Sequence, residues 1–255
     1  MTSSPQLVPR APDSSINHAH SLLYWNSVPS DINGMLGGYP QTSRIDLQGS
    51  SNFLTKLRRA FAGTERKSLE PLDRVADCGA GIGRVARGLL MRVARTVDVV
   101  EPVRKFTDEL MLAVGAHESD DNDEEGRIGE VYNLGLQDWT PEARAYDLIW
   151  NQWCLGHLTD AQLVVYLRRC KDGLKQSTSD AGDGKSGGWI VVKENMSSDR
   201  QKRDIFDDED SSVTRSDDKF RKLFKEAGLK IVATELQKGF PKELYPVRMY
   251  ALRPE

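Results

Sequence analysis

The stretch VADCGAGIGRVARGLL, residues 75 to 90, places a glycine-rich turn between an apolar run and a helix-like segment. The run RVADCG is typical of a buried strand, and Gly79, Gly81 and Gly83 close it. Glycine is needed where the chain turns tightly and where a ligand lies against the backbone. Glu101 ends the next apolar run, at about the offset where a carboxylate binds ribose hydroxyls in nucleotide-binding α/β folds. The sequence therefore predicts a nucleotide-type ligand at this turn.

The spacing within the turn favours one class of nucleotide. Dinucleotide sites use the pattern GxGxxG, whereas this turn reads GxGxG and has Arg84 where the third glycine would fall. Asp77 places a carboxylate beside the ligand, which suits an amino group better than a pyrophosphate. The turn resembles the cofactor loop of class I S-adenosylmethionine-dependent methyltransferases. For Asp77, capping of the following turn and direct contact with a cofactor remain equally good interpretations.

Beyond this turn, short apolar runs alternate with helical segments, which is the pattern of a parallel sheet wrapped by helices. The predicted strands are RVADCG (74–79), TVDVVE (96–101), GEVYNLG (129–135), YDLIWNQW (146–153), WIVVKEN (189–195), IVATEL and VRMYAL. We predict helices at RVARGLLMRVA, DAQLVVYLRRCKDGLK and SDDKFRKLFKEAGL, the last with Ser216 as its N-cap. The fold class is thus α/β: a Rossmann-like, mostly parallel seven-stranded sheet with helices on both faces and an N-terminal helical extension.

The chain divides into a short leader and one domain. Residues 1–20 are polar and rich in Pro and Ser, and we expect a disordered leader there. A single methyltransferase-type domain should occupy 21–255, with an N-terminal helical lid at 21–65 and the Rossmann-like core at 72–255. The polar stretches 117–126 and 177–188 look like surface insertions.

Composition limits the partners and the compartment. The 255 residues carry a formal net charge of -3, and no apolar run is long enough to span a bilayer, so neither nucleic acid nor a membrane is expected as the main partner. The three cysteines, Cys78, Cys154 and Cys170, show no CxxC spacing. We expect buried thiols, no metal site, and a monomer in the cytoplasm or also the nucleus.

Four further motifs narrow the family: YWNSVPSDINGMLGGY (24–39), GLQDW (135–139), NQWCLGHLTD (151–160), and KENM with DDEDSSVTR (193–215). With DCGAGIGR, they resemble the α-N-terminal protein methyltransferases, which act on proteins whose exposed N-terminus reads Xaa-Pro-Lys. The resemblance runs from about residue 21 to the C-terminus. It implies S-adenosylmethionine as methyl donor, S-adenosylhomocysteine as product, and N-terminal peptides, such as those of some ribosomal proteins, as substrates.

The resemblance also implies a cofactor site. Gly79 and Arg84 should hold the methionine part of the cofactor, with Gln152 close by, and Glu101 should bind the ribose. The family commonly has aspartate at the position of Glu101, but a longer carboxylate can accept the same hydroxyls. Leu136 and Gln137 should border the adenine.

For catalysis, the resemblance implies His157 and Asp210 as proton acceptors, and either could receive the proton first. We expect the other histidines, His18, His20 and His117, to be incidental. The predicted peptide channel uses Trp25, Trp153 and Tyr245 as aromatic walls, Leu36 in the lid, Asn195 for the peptide backbone, and Asp207 with Ser212 for the substrate lysine.

The two acid-rich runs of the sequence differ in where they lie relative to the predicted sheet. The run at 118–126 lies in an apparent insertion, whereas 206–215 follows the fifth strand, where such sheets bind ligands. Asp208 and Glu209 should face solvent. Two alternatives stay open at this point: a methyltransferase for a lysine side chain or small amine, and a non-catalytic module that binds basic peptides.

Overall fold

The computed structural model describes residues 11–61, 69–116, 126–176 and 187–255. Its helices are α1 (His18–Ser27), α2 (Ile32–Met35), α3 (Ser43–Phe61), α4 (Arg84–Gly88), α5 (Arg104–Gly115), α6 (Asp160–Gly173) and α7 (Asp217–Glu226). Its strands are β1 (Leu72–Cys78), β2 (Ala94–Val100), β3 (Arg127–Tyr132), β4 (Leu148–Gln152), β5 (Trp189–Asn195), β6 (Ile205–Asp207), β7 (Ser212–Thr214), β8 (Leu229–Leu236) and β9 (Val247–Pro254).

Seven of the strands form one sheet in the order β3-β2-β1-β4-β5-β9-β8. Strands β1 to β5 are parallel, and β9 runs antiparallel to both of its neighbours. The predicted α/β fold with a mostly parallel seven-stranded sheet is confirmed. The strand order reverses between β1 and β4, and open α/β sheets bind ligands outside the carboxyl ends of the strands at such a point.

Burial on both faces explains the apolar runs of the central strands. All five residues of β4 are buried, and alternate residues contribute to different clusters: Ile149 packs in one and Trp150 in the other. The first cluster includes residues of α6 and α7, and the second includes residues of α3 and α4. A parallel strand covered by helices on both faces needs apolar residues at nearly every position. The cysteines Cys78, Cys154 and Cys170 are free and buried, as predicted.

Local signals fix most helix boundaries. Helix α7 begins after Ser216, whose side chain accepts the Lys219 amide as the sequence predicted, and Gly228 follows the helix with φ of +72°. The helix predicted from RVARGLLMRVA is shorter, because α4 ends at Gly88 and a 3-10 turn follows. Glycine is a weak helix former, and a Cβ at Gly88 would lie 2.7 Å from Leu47 Cδ1.

Regular structure is present ahead of the predicted boundary at residue 20. Residues Pro12–Ser15 form a 3-10 turn, and α1 begins at His18. The segment is attached to the core because Asp13 Oδ2 accepts the Asp160 amide at 2.9 Å and Ser211 Oγ accepts the Asn17 amide at 2.8 Å. These partners are distant in sequence, so composition alone could not predict them. Residues 1–10 lie outside the described part, as do 117–125 and 177–186 of the two predicted insertions.

The acid run at 206–215 folds into a hairpin that the sequence did not predict. Strands β6 and β7 pair with Asp207 opposite Ser212, and Ser211 in the turn has φ of +58°. The Asp207 carboxylate accepts the Glu209 amide at 2.9 Å, which is a turn-forming contact typical of aspartate. The hairpin follows β5 and therefore lies at the carboxyl edge of the sheet. Within the described ranges, no helix is long and apolar enough to cross a membrane.

Candidate functional site

A cavity of about 330 Å³ opens at the carboxyl ends of β1, β2 and β4. The residues predicted to bind the cofactor all line it: Gly79, Arg84, Glu101, Leu136, Gln137 and Gln152. They come from four separate stretches of sequence, and the parallel strands bring them to one edge. The cleft therefore has the position and the residues expected of a cofactor site.

Glycine is required in the turn for two physical reasons. Gly79 and Gly81 have φ of +69° and +55°, which side chains rarely adopt. A Cβ at Gly79 would lie 2.3 Å from Cys154 Cβ, and a Cβ at Gly81 would lie 2.6 Å from Met35 Sδ. The Glu101 carboxylate holds the turn by accepting the Gly81 amide at 2.8 Å, and burial raises its pKa to about 7.

Asp77 places a buried carboxyl group in the cleft. Burial raises the pKa of this carboxyl to about 7, while the Ala86 backbone amide and Arg84 oppose the shift. One oxygen, Oδ2, has no hydrogen-bond partner among the residues that the structure describes. The Ala86 contact supports the capping interpretation, and the unpaired oxygen supports direct contact with a cationic ligand group, so Asp77 can serve both.

Next to Asp77 lies a buried charge network that the sequence did not reveal. Asp46 of α3 pairs with Arg84 Nη1 at 2.7 Å and with the Lys193 ammonium. It also accepts Gln152 Nε2 at 2.9 and 3.0 Å. Burial alone would raise the pKa of Asp46, but Lys193 and Arg84 lower it, so the group stays ionised.

This network carries two cations, Arg84 and Lys193, against the single carboxylate of Asp46. Arg84 lines the cleft and interacts with the charge of Asp77, so a cation and an anion lie side by side there. No motif pointed to Asp46, because it lies in a helix far in sequence from the glycine turn. The cleft thus offers one group of each charge, which fit the carboxylate and ammonium of a methionine moiety.

A second cavity of about 300 Å³ adjoins the first. Both cavities are lined by Trp25, Met35, Trp153 and His157, which form their common wall. The second cavity also contains most of the residues predicted to bind substrate or accept a proton: Leu36, Asn195, Asp210, Ser212 and Tyr245. Asp207 is not part of its lining. The fold therefore places a second binding space directly against the cofactor cleft.

His157 lies at the junction of the two cavities and is partly buried. Trp25 Nε1 donates to its Nε2 at 3.2 Å, and Ser21 Oγ lies 3.0 Å from its Nδ1. Because Nε2 accepts a hydrogen bond, these contacts assign the proton of the neutral ring to Nδ1. Burial lowers the pKa of His157 despite the opposing charge of Asp210, so the ring is neutral at physiological pH.

Asp210 differs from its acidic neighbours. Its Oδ1 is buried and has no hydrogen-bond partner within the described ranges, whereas Asp207, Asp208 and Glu209 are exposed. Exposure of Asp208 and Glu209 confirms that they face solvent. The hairpin turn thus places one carboxylate inside the second cavity and leaves the other acids at the surface.

Aromatic rings dominate the walls of the second cavity. Trp153 has φ of +54°, an uncommon conformation for a side-chain-bearing residue and one that is often found at functional sites. The Arg84 guanidinium lies 5.5 Å from its ring centre, and Phe240 lies 6.4 Å from it. Phe240 and Tyr39 also line the cavity, and sequence reasoning missed both because they lie in irregular segments.

Two of the histidines expected to be incidental have defined contacts near the site. His18 lines the cofactor cleft and bonds Gln162 Oε1 at 3.2 Å, and the His20 ring lies 3.0 Å from the Glu209 carbonyl. Their placement follows from the ordered start of α1, which the predicted leader did not include. His117 lies outside the residues that the structure describes.

Comparison with known proteins gives one consistent result. A sequence profile described as AdoMet-dependent proline di-methyltransferase matches residues 13–253. The "Alpha N-terminal protein methyltransferase 1" of Schizosaccharomyces pombe is 43% identical over 244 residues, which cover 93% of this chain and 96% of that protein. The "N-terminal Xaa-Pro-Lys N-methyltransferase 1-A" of Xenopus laevis is 41% identical, with 90% and 92% covered.

A solved structure agrees with these sequences. A SAM-dependent methyltransferase from Leishmania major superposes with a TM-score of 0.76 at 33% identity, covering 92% of this chain and 82% of that one. The profile match begins at residue 13, earlier than the resemblance predicted from motifs, which agrees with the ordered segment ahead of α1. The chain belongs to the family of AdoMet-dependent proline di-methyltransferases.

Proposed function

We propose that this protein transfers methyl groups from S-adenosylmethionine to the α-amino group of proteins whose exposed N-terminus reads Xaa-Pro-Lys. The observation that carries the proposal is the pair formed by the neutral His157 ring, which lines both cavities, and the unpaired Asp210 carboxylate oxygen, which lines the second. The names of the relatives from Schizosaccharomyces pombe and Xenopus laevis describe the same activity.

The first cavity would hold the cofactor, which supplies an electrophilic methyl group on a sulfonium. Asp77, with one oxygen free of hydrogen bonds, would bind its ammonium, and Arg84 would bind its carboxylate, since both line the cleft. Gly79 allows close approach of the ligand to the backbone, and Gln152 is fixed beside it by Asp46. Glu101 would accept the ribose hydroxyls, and the lining residues Leu136 and Gln137 would border the adenine.

The enzyme's own chemistry is to hold the amine in line and to take its proton. An α-amine has a pKa of roughly 8, about two units below a lysine, so a modest acceptor is sufficient at neutral pH. Asp210 has a free oxygen, whereas Nε2 of His157 already accepts the Trp25 indole N–H. We therefore assign first contact with the amine to Asp210, and His157 accepts a proton when Trp25 withdraws.

The second cavity would select the peptide. The flat rings of Trp25, Trp153 and Tyr245 suit a proline ring and can face an approaching cation. Asn195 lies at the end of β5, where its amide can bond the peptide backbone. Asp207 and Ser212 face each other across the hairpin and would receive the lysine ammonium. Basic N-termini with proline second, such as those of some ribosomal proteins, form the substrate class.

Methylation of a Ser-Pro-Lys peptide, with a copy acetylated at its N-terminus as control, tests the proposal. We expect turnover of the free peptide and none of the acetylated peptide, since acetylation removes the nucleophile. Equal methylation of the two would show that the acceptor is the lysine side chain and would reject the proposal.

A further inference from the structure

The turn that carries His157 is held by a buried guanidinium. Arg215 is fully buried, and its Nη1 donates to the Leu155 carbonyl at 2.9 Å. Its Nη2 donates to the Leu158 carbonyl, and its Nε donates to Asp160 Oδ1 at 2.9 Å. The two carbonyls flank the histidine on either side. The guanidinium therefore fixes the backbone of this turn at both ends.

A buried carboxylate holds the same turn from the other side. Glu194 Oε1 accepts the backbone amides of Cys154 and Leu155, each at 2.9 Å. Burial raises the pKa of Glu194 to about 7, while these amides and the charge of Arg215 oppose the shift. The backbone amides of the turn thus bind the Glu194 carboxylate of β5, and its backbone carbonyls bind the guanidinium of Arg215, which follows β7.

Arg215 also belongs to the hairpin that carries Asp210. It directly follows β7, and its own carbonyl accepts the Ser197 amide at 2.9 Å. The hairpin is short and has two strands, so it depends on such attachments to keep its place. One side chain therefore connects the segment that bears His157 with the segment that bears Asp210.

We propose that Arg215 is a positioning residue, which sets the distance between His157 and Asp210 without touching substrate or cofactor. Arginine is required because its planar fork directs three separate N–H groups at three acceptors, and a lysine ammonium cannot reach them all. The inference rests on the role proposed above for His157. Its consequence is that loss of the fork lowers turnover more than it lowers peptide binding.

The test compares Arg215→Lys with a matched control, Arg58→Lys. Arg58 is also buried and donates to a backbone carbonyl, that of Glu70, but it lies on α3 outside both cavities. We expect Arg215→Lys to lower kcat by about 100-fold, a loss typical of a small misplacement at a reacting centre, with little change in peptide Kd. Arg58→Lys should lower only the melting temperature.

A double-mutant cycle separates positioning from general destabilisation. If Arg215 acts by setting the distance between His157 and Asp210, that distance no longer matters once His157 is removed, and Arg215→Lys should lower kcat no further in a His157→Ala background. An additive loss, or normal kcat in Arg215→Lys, would overturn the inference. Unchanged kcat in His157→Ala alone would instead reject the proposed role of His157, and with it this inference.

A second variant covers the case in which Arg215→Lys does not fold. Asp160→Ala removes the carboxylate that orients the Nε atom and leaves both bonds from Arg215 to the turn. Asp160→Ala should lower kcat less than Arg215→Lys does. In a His157→Ala background it should lower kcat no further. A loss that is additive with His157→Ala, or no loss, would overturn the inference.

Discussion

At the scale of single residues, function depends on which charged groups the fold leaves without a partner. Asp77 and Asp210 each keep one buried carboxylate oxygen unpaired within the described residues. An unpaired buried acceptor costs stability, commonly about 1–3 kcal/mol, so its retention in a cavity points to a ligand. The Asp77 oxygen lies in the cofactor cleft, where it would bind the cofactor ammonium. The Asp210 oxygen lies in the adjoining cavity, where it would bind the α-amine of the peptide.

Asp210→Asn should lower kcat on the order of 100-fold or more, because the amide keeps the shape of the side chain but cannot take a proton. Asp208→Asn is the matched control, since Asp208 lies in the same turn and is exposed. Steady-state kinetics with a Ser-Pro-Lys peptide would measure both. Wild-type turnover in Asp210→Asn would exclude Asp210 as the acceptor.

Cofactor affinity should rise from pH 6 to pH 8. With its pKa raised to about 7, Asp77 is mostly protonated at pH 6 and must lose that proton before it pairs with an ammonium. Calorimetric titration with S-adenosylhomocysteine across this range should show the rise, and Asp77→Asn should reduce it. Ionisation of Glu101, whose pKa is also raised to about 7, accounts for the rise in affinity that remains in Asp77→Asn. If Asp77→Asn showed the same rise in affinity with pH as the wild type, Asp77 would not be the partner of the cofactor ammonium.

The sequence identified site residues that belong to contiguous motifs. It did not identify residues such as Asp46, which contact several motifs only in the folded chain. Glu101 was predicted from its offset to the glycine turn and Arg84 from the family resemblance of that turn, and both line the cleft. Asp46 and Phe240 carry no such signal, because only the folded chain brings α3 and the loop before β9 to the site. The partners of Arg84 were therefore outside what spacing could predict.

At the scale of elements, the hairpin and the glycine turn determine what each cavity can bind. The sequence predicted all seven strands of the main sheet, and the apolar runs of the central strands β4 and β5 reflect their burial on both faces. It did not predict β6 and β7, since each has only three residues and no alternating or continuous apolar pattern. Their pairing depends on tertiary contacts such as the one between Asn17 and Ser211.

Asp207→Asn should weaken binding of an Xaa-Pro-Lys peptide by about two- to fivefold, the range expected for an exposed ion pair. The amide can still accept the Glu209 N–H, so the turn is preserved. Fluorescence titration with Ser-Pro-Lys and Ser-Pro-norleucine peptides would measure the effect. The variant should bind the norleucine peptide as the wild type does, and equal weakening of both peptides would exclude a lysine contact.

Gly81→Ala should weaken cofactor binding, because alanine at φ of +55° costs roughly 1–2 kcal/mol and its Cβ would meet Met35. Gly115→Ala is the control: it lies at the end of α5, and a Cβ there has no neighbour within 4 Å. Titration with S-adenosylhomocysteine should give a Kd about five- to thirtyfold weaker for Gly81→Ala only, which is that cost converted to affinity. Equal affinities would show that the turn tolerates a side chain.

At the scale of the whole molecule, the fold joins two binding spaces at one edge of a sheet. The parallel strands supply the cofactor cleft, the hairpin and the β8–β9 region supply the second cavity, and α1 with α2 supplies Trp25 and Met35 to both. Transfer between two bound molecules requires such adjacency, since alignment accounts for much of the rate. This arrangement is the structural basis for the proposed N-terminal methylation.

Tandem mass spectrometry of a Ser-Pro-Lys peptide, after incubation with the protein and S-adenosylmethionine, would show directly whether the α-amine is the methyl acceptor. Fragment ions locate each added methyl group on the α-nitrogen or on the lysine side chain. We expect methyl groups on the α-nitrogen alone, and a greatly reduced amount with Asp210→Asn. Methylation of the lysine side chain, or no methylation of this peptide, would contradict it.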